Sequence, residues 1–374
     1  MEGDAANRNG GDAADRDGGD GGDAAAGPLA GREVVAYAPG RVNLIGDHTD
    51  YNAGVALPMA IDLGTTVSFR PDGSGRVRLR SASEPEPADV DLHQALSPEA
   101  LQALRPSWAR FVGAVVAVVR PETGGTGTVT TTLPVGAGLS SSAALEVATA
   151  LAFGIEGDAR TVAHACQRAE QAATGVRTGL MDQLVVSAAR PGHALMIDFA
   201  DLSTADVPVP ADAEVIVVHS GESRSLDSSA YAERRAECEM AARGLGPLGQ
   251  VDPAAADALP DPVLRRRARH VTTECARVRA FSLALSHRDL AEAGRIMTAS
   301  HRSLAQDFEV STPALDALVD HLCHRPGVHG ARLTGAGFGG CVVALTEPDA
   351  LDPGDFATPA WRVRPSGGAS RRPR

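Results

Sequence analysis

Apolar residues recur at helical spacing between Ser97 and Val119, where Leu101, Leu104, Trp108, Phe111, Val112 and Val115 come after a Ser-Pro-Glu start. The pattern predicts one helix capped by Ser97. A second helix is predicted from Asp158 to about Thr174, with Val162, Cys166, Ala169 and Ala173 along one face. The second half reads as mostly helical, over 228–244, 261–286, 288–303 and 313–324. Thr126 to Leu133 alternates and is rich in Thr and Val, which predicts a strand running through a glycine-rich turn into an Ala-rich helix from Ser140. Short strands are expected among Val34, Val35, Tyr37, Val42, Leu44 and Ile45, on either side of Pro39-Gly40. Others are expected at Ala194–Phe199, at Glu214–His219 and on both sides of the turn Gly335 to Gly340. Strands and helices mixed without strict alternation indicate an α+β fold.

A chain of 374 residues is too long for one core, so two domains are expected. The Pro-spaced stretch near Pro208 and Pro210 suggests where they meet, giving domains over 32–205 and 206–365 and a basic tail over 366–374. Residues 1–31, almost wholly Gly, Ala and Asp, have little to offset the entropy of ordering and are expected to form a disordered acidic tail. With 43% hydrophobic and 22% charged residues, the rest is a folded protein and not a coiled coil or collagen.

All 35 basic residues are Arg. Without Lys there is no Schiff-base chemistry, no phosphate-loop lysine and no protein-kinase strand lysine, so nucleotide binding would need another device. His287-Arg-Asp-Leu290 copies the start of a protein-kinase catalytic loop, but its context is missing and it reads as a corner between helices. Net charge is −12, of which seven acids against Arg8 and Arg16 in residues 1–27 supply −5. That balance predicts no nucleic-acid partner and no attraction to an anionic membrane. The longest apolar run, Phe111 to Val119, is too short to span a bilayer, so a cytoplasmic protein is expected, and a monomer. Five scattered cysteines without C-x-x-C spacing read as buried thiols.

Four segments carry candidate chemistry. Ala38 to Asn52 compresses Arg41, Asp47, His48 and Asp50 into a turn between apolar strand residues, where a polyhydroxylated ligand would satisfy them; Asx-type turn formation accounts for Asp47 and Asp50 equally well. Leu133 to Leu145 sets Pro134, Gly136, Ala137, Gly138, Leu139, Ser140, Ser141, Ser142 and Ala143 between a strand and a helix start. Successive N–H groups and the positive helix end make such a loop an anion site without lysine. In the third segment, Gly179-Leu-Met-Asp182-Gln comes after Glu170 of the preceding helix; taken singly, Asp182 could be a helix N-terminal acid and Glu170 a solvated position. The fourth, Leu333 to Cys341, is too glycine-rich for a mere hairpin and lacks the acidic partner and helix of a dinucleotide fingerprint.

Together these segments resemble the galactokinases, members of the GHMP small-molecule kinase superfamily, from about Val34 to Val363. The resemblance implies a two-domain GHMP kinase fold: an N-terminal mixed sheet with helices, like ribosomal protein S5 domain 2, and a C-terminal ferredoxin-like α/β sandwich. It implies ATP and Mg²⁺, and phosphorylation of galactose at the C1 hydroxyl. Arg41, Asp47, His48, Asp50, Gly179, Asp182 and Tyr231 inherit sugar-site roles, and the loop Pro134–Ala143 the ATP site. Ser142 and Glu170 match the metal ligands, Asp182 the base, and Arg41 the cation beside it. Asp47 stands where the family more often has Glu, which bears on sugar identity and leaves arabinose or N-acetylgalactosamine as alternative substrates. Ala336 replaces a glycine, which the loop accommodates if its φ is negative. A non-catalytic sugar sensor is a further alternative, opposed by the uninterrupted Ser140 to Ala144 and by Asp182.

Overall fold

The computed structural model describes residues 31–134, 136–222 and 228–373. The acidic tail expected over 1–31 therefore lies, Gly31 apart, outside the described residues.

The chain enters through β1 (Val34–Ile45), one 12-residue strand where short ones were expected. It pairs antiparallel with β2 (Val55–Pro71), and the register slips between Pro39 and Arg41 and again between Asn43 and Ile45. Next come β3 (Arg76–Ser81) and β4 (Ala88–Asp91). The helix expected from Ser97 to Val119 is two helices, α1 (Pro98–Ala103) and α2 (Ala109–Val119). Pro106 breaks it, because proline disfavours the helical region for Arg105 and offers no N–H. Ser97 caps α1 as expected, accepting from the Ala100 amide.

Strand β5 (Gly125–Thr131) leads through the glycine-serine loop to α3 (Ser141–Ala152). Helices α4 (Ala159–Thr174) and α5 (Met181–Ala188) and the hairpin β6 (His193–Asp198) and β7 (Ser203–Pro208) complete this half. Val162, Cys166, Ala169 and Ala173 form the buried face of α4, as the spacing predicts. The sheet runs β4-β3-β5-β2-β1, and only β3 and β5 are parallel; β6 joins β2 beside the main path.

A domain boundary at 205 would cut β7; the passage between sheets lies at 209–213, before β8 (Glu214–His219). Helices α6 (Ser228–Leu245), α7 (Pro262–Ser286), α8 (Leu290–Gln306) and α9 (Pro313–Cys323) come next, close to the spans read from sequence. His287 to Asp289 is the corner between α7 and α8. Strands β9 (Val328–Thr334), β10 (Cys341–Thr346) and β11 (Ala360–Val363) close an antiparallel sheet ordered β11-β8-β10-β9. Numbered from β8, that is the 4-1-3-2 order of a ferredoxin-like domain. Its last crossover is a short 3₁₀ turn at Pro353–Asp355.

The expected basic tail contains a strand, β12 (Ser370–Pro373), laid antiparallel along β1 from Val34 to Tyr37. Unpaired amides on the β1 edge supply the reason: the ladder satisfies them. The cysteines are reduced and four are buried, but Cys323 is only half-buried. Among the described residues no helix is long and apolar enough to cross a membrane.

Candidate active site

The sheets and helices enclose a cleft of about 1190 Å³, lined by residues of all four sequence segments. At its centre Arg41, 6% exposed, makes a two-pronged pair with Asp182: Nε donates to Oδ1 at 2.8 Å and Nη2 to Oδ2 at 2.7 Å. Its third nitrogen, Nη1, donates to the Gly138 carbonyl at 2.6 Å, so one guanidinium ties the base candidate to the glycine-serine loop. Asp182 sits in the first turn of α5, which makes it a helix N-terminal acid and a member of the cleft at once.

The loop itself winds through Gly136 and Gly138, at φ +80° and +81°, and then through Ser140, a non-glycine residue at φ +58°. This left-handed turn swings the Ser140 hydroxyl away from the usual capping position and onto Asp182 Oδ2. The sequence reading offered the three serine hydroxyls to phosphate oxygens or a metal; here the Ser140 hydroxyl faces the Asp182 carboxylate, and the residue lines the cleft. Leu139 and Ala143 are buried in the core, so only their main chains can face a ligand.

In the first turn of α3, Ser142 Oγ donates to Glu170 Oε1 of α4 at 2.8 Å. The other oxygen, Oε2, accepts from Gln183 at 2.6 Å and from Thr178 at 3.3 Å. Burial and then the nearby Asp182 push the Glu170 carboxyl above its ordinary range. Hard oxygen donors beside a phosphate loop suit Mg²⁺, which takes one or two protein oxygens and fills its shell with phosphate and water.

The turn after β1 builds the opposite wall. His48, at φ +64°, bonds the Tyr51 hydroxyl through Nδ1 at 2.9 Å and faces the Ala336 carbonyl through Nε2 at 3.2 Å. Its ring packs on Phe308 and Tyr231, 4.6 and 5.8 Å between centroids. Asp50 approaches Gly179 so closely that a Cβ there would lie 1.5 Å from its Oδ2, which is why only glycine fits. Burial, then the charge of Asp182, pushes the Asp50 carboxyl up to about 7.

Asp47 differs from its neighbours. It is 3% exposed, and its oxygens are taken by Arg332 Nη2 at 2.5 Å and the Gly335 amide at 3.1 Å. It therefore anchors the fourth segment as much as it faces the cleft. Burial raises its carboxyl in spite of Arg332, Asn43 and Arg41. Arg332 was missed from sequence, although a charged residue between Ala331 and Leu333 of an apolar strand was a signal. Ala336 stays out of the left-handed region that Gly335 and Gly337 occupy at φ +85° and +78°, which accommodates it. Phe338, of the same segment, donates its amide to the Val310 carbonyl and lies under the Arg234 guanidinium. Cys341 donates its thiol to the Ala137 carbonyl at 3.0 Å.

Fold and loop together define a GHMP-type kinase: residues 110–189 match the family model "GHMP kinases N terminal domain" and 281–353 match "GHMP kinases C terminal". Residues 29–71, which carry Arg41, Asp47, His48 and Asp50, match the "Galactokinase galactose-binding signature". The chain is 42% identical to human galactokinase over 85% of each protein and 41% identical to the galactokinase of Chloroflexus aurantiacus over the same shares. It belongs to the galactokinase family. Its fold superposes on the Lactococcus lactis galactokinase solved with galactose at a TM-score of 0.82, with 28% identity over 90% of this chain and 95% of that one. Mevalonate kinase from Methanococcus jannaschii shares the fold alone, at a TM-score of 0.63 and 19% identity over 89% of this chain and 98% of that one.

Proposed function

We propose that the protein transfers the γ-phosphoryl group of ATP to the C1 hydroxyl of D-galactose, giving galactose 1-phosphate and ADP. The observation that carries this is the Arg41–Asp182 pair set at the mouth of the glycine-serine loop, with the Ser140 hydroxyl on the same carboxylate.

The sugar occupies the wall of His48, Asp50, Gly179 and Tyr231, and the triphosphate lies along the amides at the start of α3. Asp182 accepts the C1 hydroxyl proton as the hydroxyl oxygen bonds to the γ-phosphorus and the bond to the β-bridging oxygen breaks, releasing ADP. Arg41 and Ser140 keep Asp182 in one orientation, so it meets the hydroxyl without rearranging. Arg41 also brings positive charge to the phosphoryl group in flight. Ser142 and Glu170 would hold Mg²⁺, which would supply positive charge against the phosphates of the nucleotide.

The reading is tested by ADP release against galactose, arabinose, N-acetylgalactosamine and glucose. Galactose is expected to give the highest kcat/KM; a higher value for arabinose would reassign the substrate, and no sugar-dependent release would reassign the class. Glu170→Ala is expected to raise the Mg²⁺ requirement, and an unchanged Mg²⁺ titration would remove Glu170 from the metal site.

A further inference from the structure

Behind the cleft lies a group of polar side chains that the phosphoryl transfer itself does not use. Glu146 of α3 is fully buried, yet it sits in an Ala- and Val-rich helix where an apolar residue would cost nothing. Gln183 of α5, also fully buried, extends its amide nitrogen between two carboxyl groups, at 2.6 Å from Glu170 Oε2 and 3.3 Å from Glu146 Oε2. Flipping that amide would set its oxygen against both acids, so the neighbours dictate its orientation.

We propose that Gln183, backed by Glu146, is a positioning residue that holds Glu170 in its metal-binding orientation. This rests on Glu170 being a metal ligand. Of the two Glu170 oxygens, Oε1 faces Ser142 and the loop, while Oε2 is tied at the rear by Gln183 and Thr178. With the 2.6 Å contact removed and only the longer Thr178 contact left behind it, the carboxylate is freer to rotate about its terminal torsion, which is broad. Glu146 Oε2 accepts from the same amide nitrogen at 3.3 Å, so the Gln183 side chain is held from behind while it holds Glu170. Because Gln183 is the next residue after Asp182, the first turn of α5 orients the base and the metal ligand together.

The test compares Gln183→Leu, Glu146→Leu, Glu146→Gln and Glu170→Ala in the full chain. Each is measured for Mn²⁺ binding by EPR in the presence of a nonhydrolysable ATP analogue, for Mg²⁺ activation of turnover, for galactose Kd by calorimetry and for Tm. Gln183→Leu is expected to weaken Mn²⁺ binding about ten- to hundredfold, the usual cost of removing a partner behind a metal ligand, with galactose Kd unchanged. Glu146→Leu should show a smaller loss, and Glu146→Gln, which still offers an oxygen to the amide, should restore the native metal constants. A lower Tm with native Mn²⁺ binding in Gln183→Leu would reduce the group to packing and overturn the proposal. If Gln183→Leu does not fold, native Mn²⁺ binding in Glu146→Leu overturns it instead. Native Mn²⁺ binding in Glu170→Ala would instead locate the failure in the metal assignment and take the proposal with it.

Discussion

Two glycine-rich loops meet in this molecule, and they use the same composition in opposite ways. The loop before α3 leaves its strand, lines the cleft and opens a helix whose first amides have no partner within the helix. The loop between β9 and β10 opens no helix, and three of its amides are taken internally: Gly335 donates to Asp47, Phe338 to the Val310 carbonyl and Gly340 to the Glu222 carbonyl. The first can bind a ligand; the second fixes the turn that carries His48. Glycine content alone does not distinguish them. The difference comes from the element each loop feeds, a helix in one case and a strand in the other.

The largest effect should come where the first loop meets the base. Asp182→Asn is expected to lower kcat by about 10²- to 10⁴-fold, the range for a general base, while galactose binding stays measurable by calorimetry. Near-native turnover would leave Asp182 with a holding role only. Next comes the anchor of the second loop. Arg332→Met leaves Asp47 buried without its cation and should cost about 3–5 kcal/mol in denaturant unfolding. An unchanged midpoint would mean that the second loop is held by its main-chain contacts alone.

A matched glycine pair sharpens the contrast. At Gly337 an added Cβ would lie 2.4 Å from the Val310 carbonyl, and at Gly136 it would meet nothing within 4 Å, though both have positive φ. Gly337→Ala should therefore lower Tm and raise the KM for galactose. Gly136→Ala should cost only about 1 kcal/mol and act on the KM for ATP. Equal effects on both substrates from either variant would break the division of labour.

The smallest effect concerns Asp50. Its folded carboxyl titrates near 7, above the unfolded value, so the native state holds the extra proton between the two and loses stability as pH rises through that window. Asp50→Asn should raise Tm at pH 8 and progressively less toward pH 4. A gain independent of pH would show that the carboxyl is not held so high.

Much of the second half was legible because α7 to α9 begin at Asp-Pro, Asp-Leu and Thr-Pro starts that cap visibly. Strand β2 was not, because both its faces are covered through Ala56 to Ile61 and its apolar residues do not alternate. The candidate site residues stood out by type and spacing, but their partners did not. The turn of Ser140 onto Asp182 depends on a left-handed backbone that only the packed loop imposes, and the Asp47–Arg332 pair spans 285 residues. Long-range pairs of that kind leave no periodic trace.

Strand β12 adds a matter of timing. It is synthesised after every other described strand, and its partner β1 before them, so the outer edge of the first sheet stays bare while all the strands between them are made and is zipped shut afterwards. A truncation ahead of Ser370 therefore acts on the oldest strand of the protein as well as the newest.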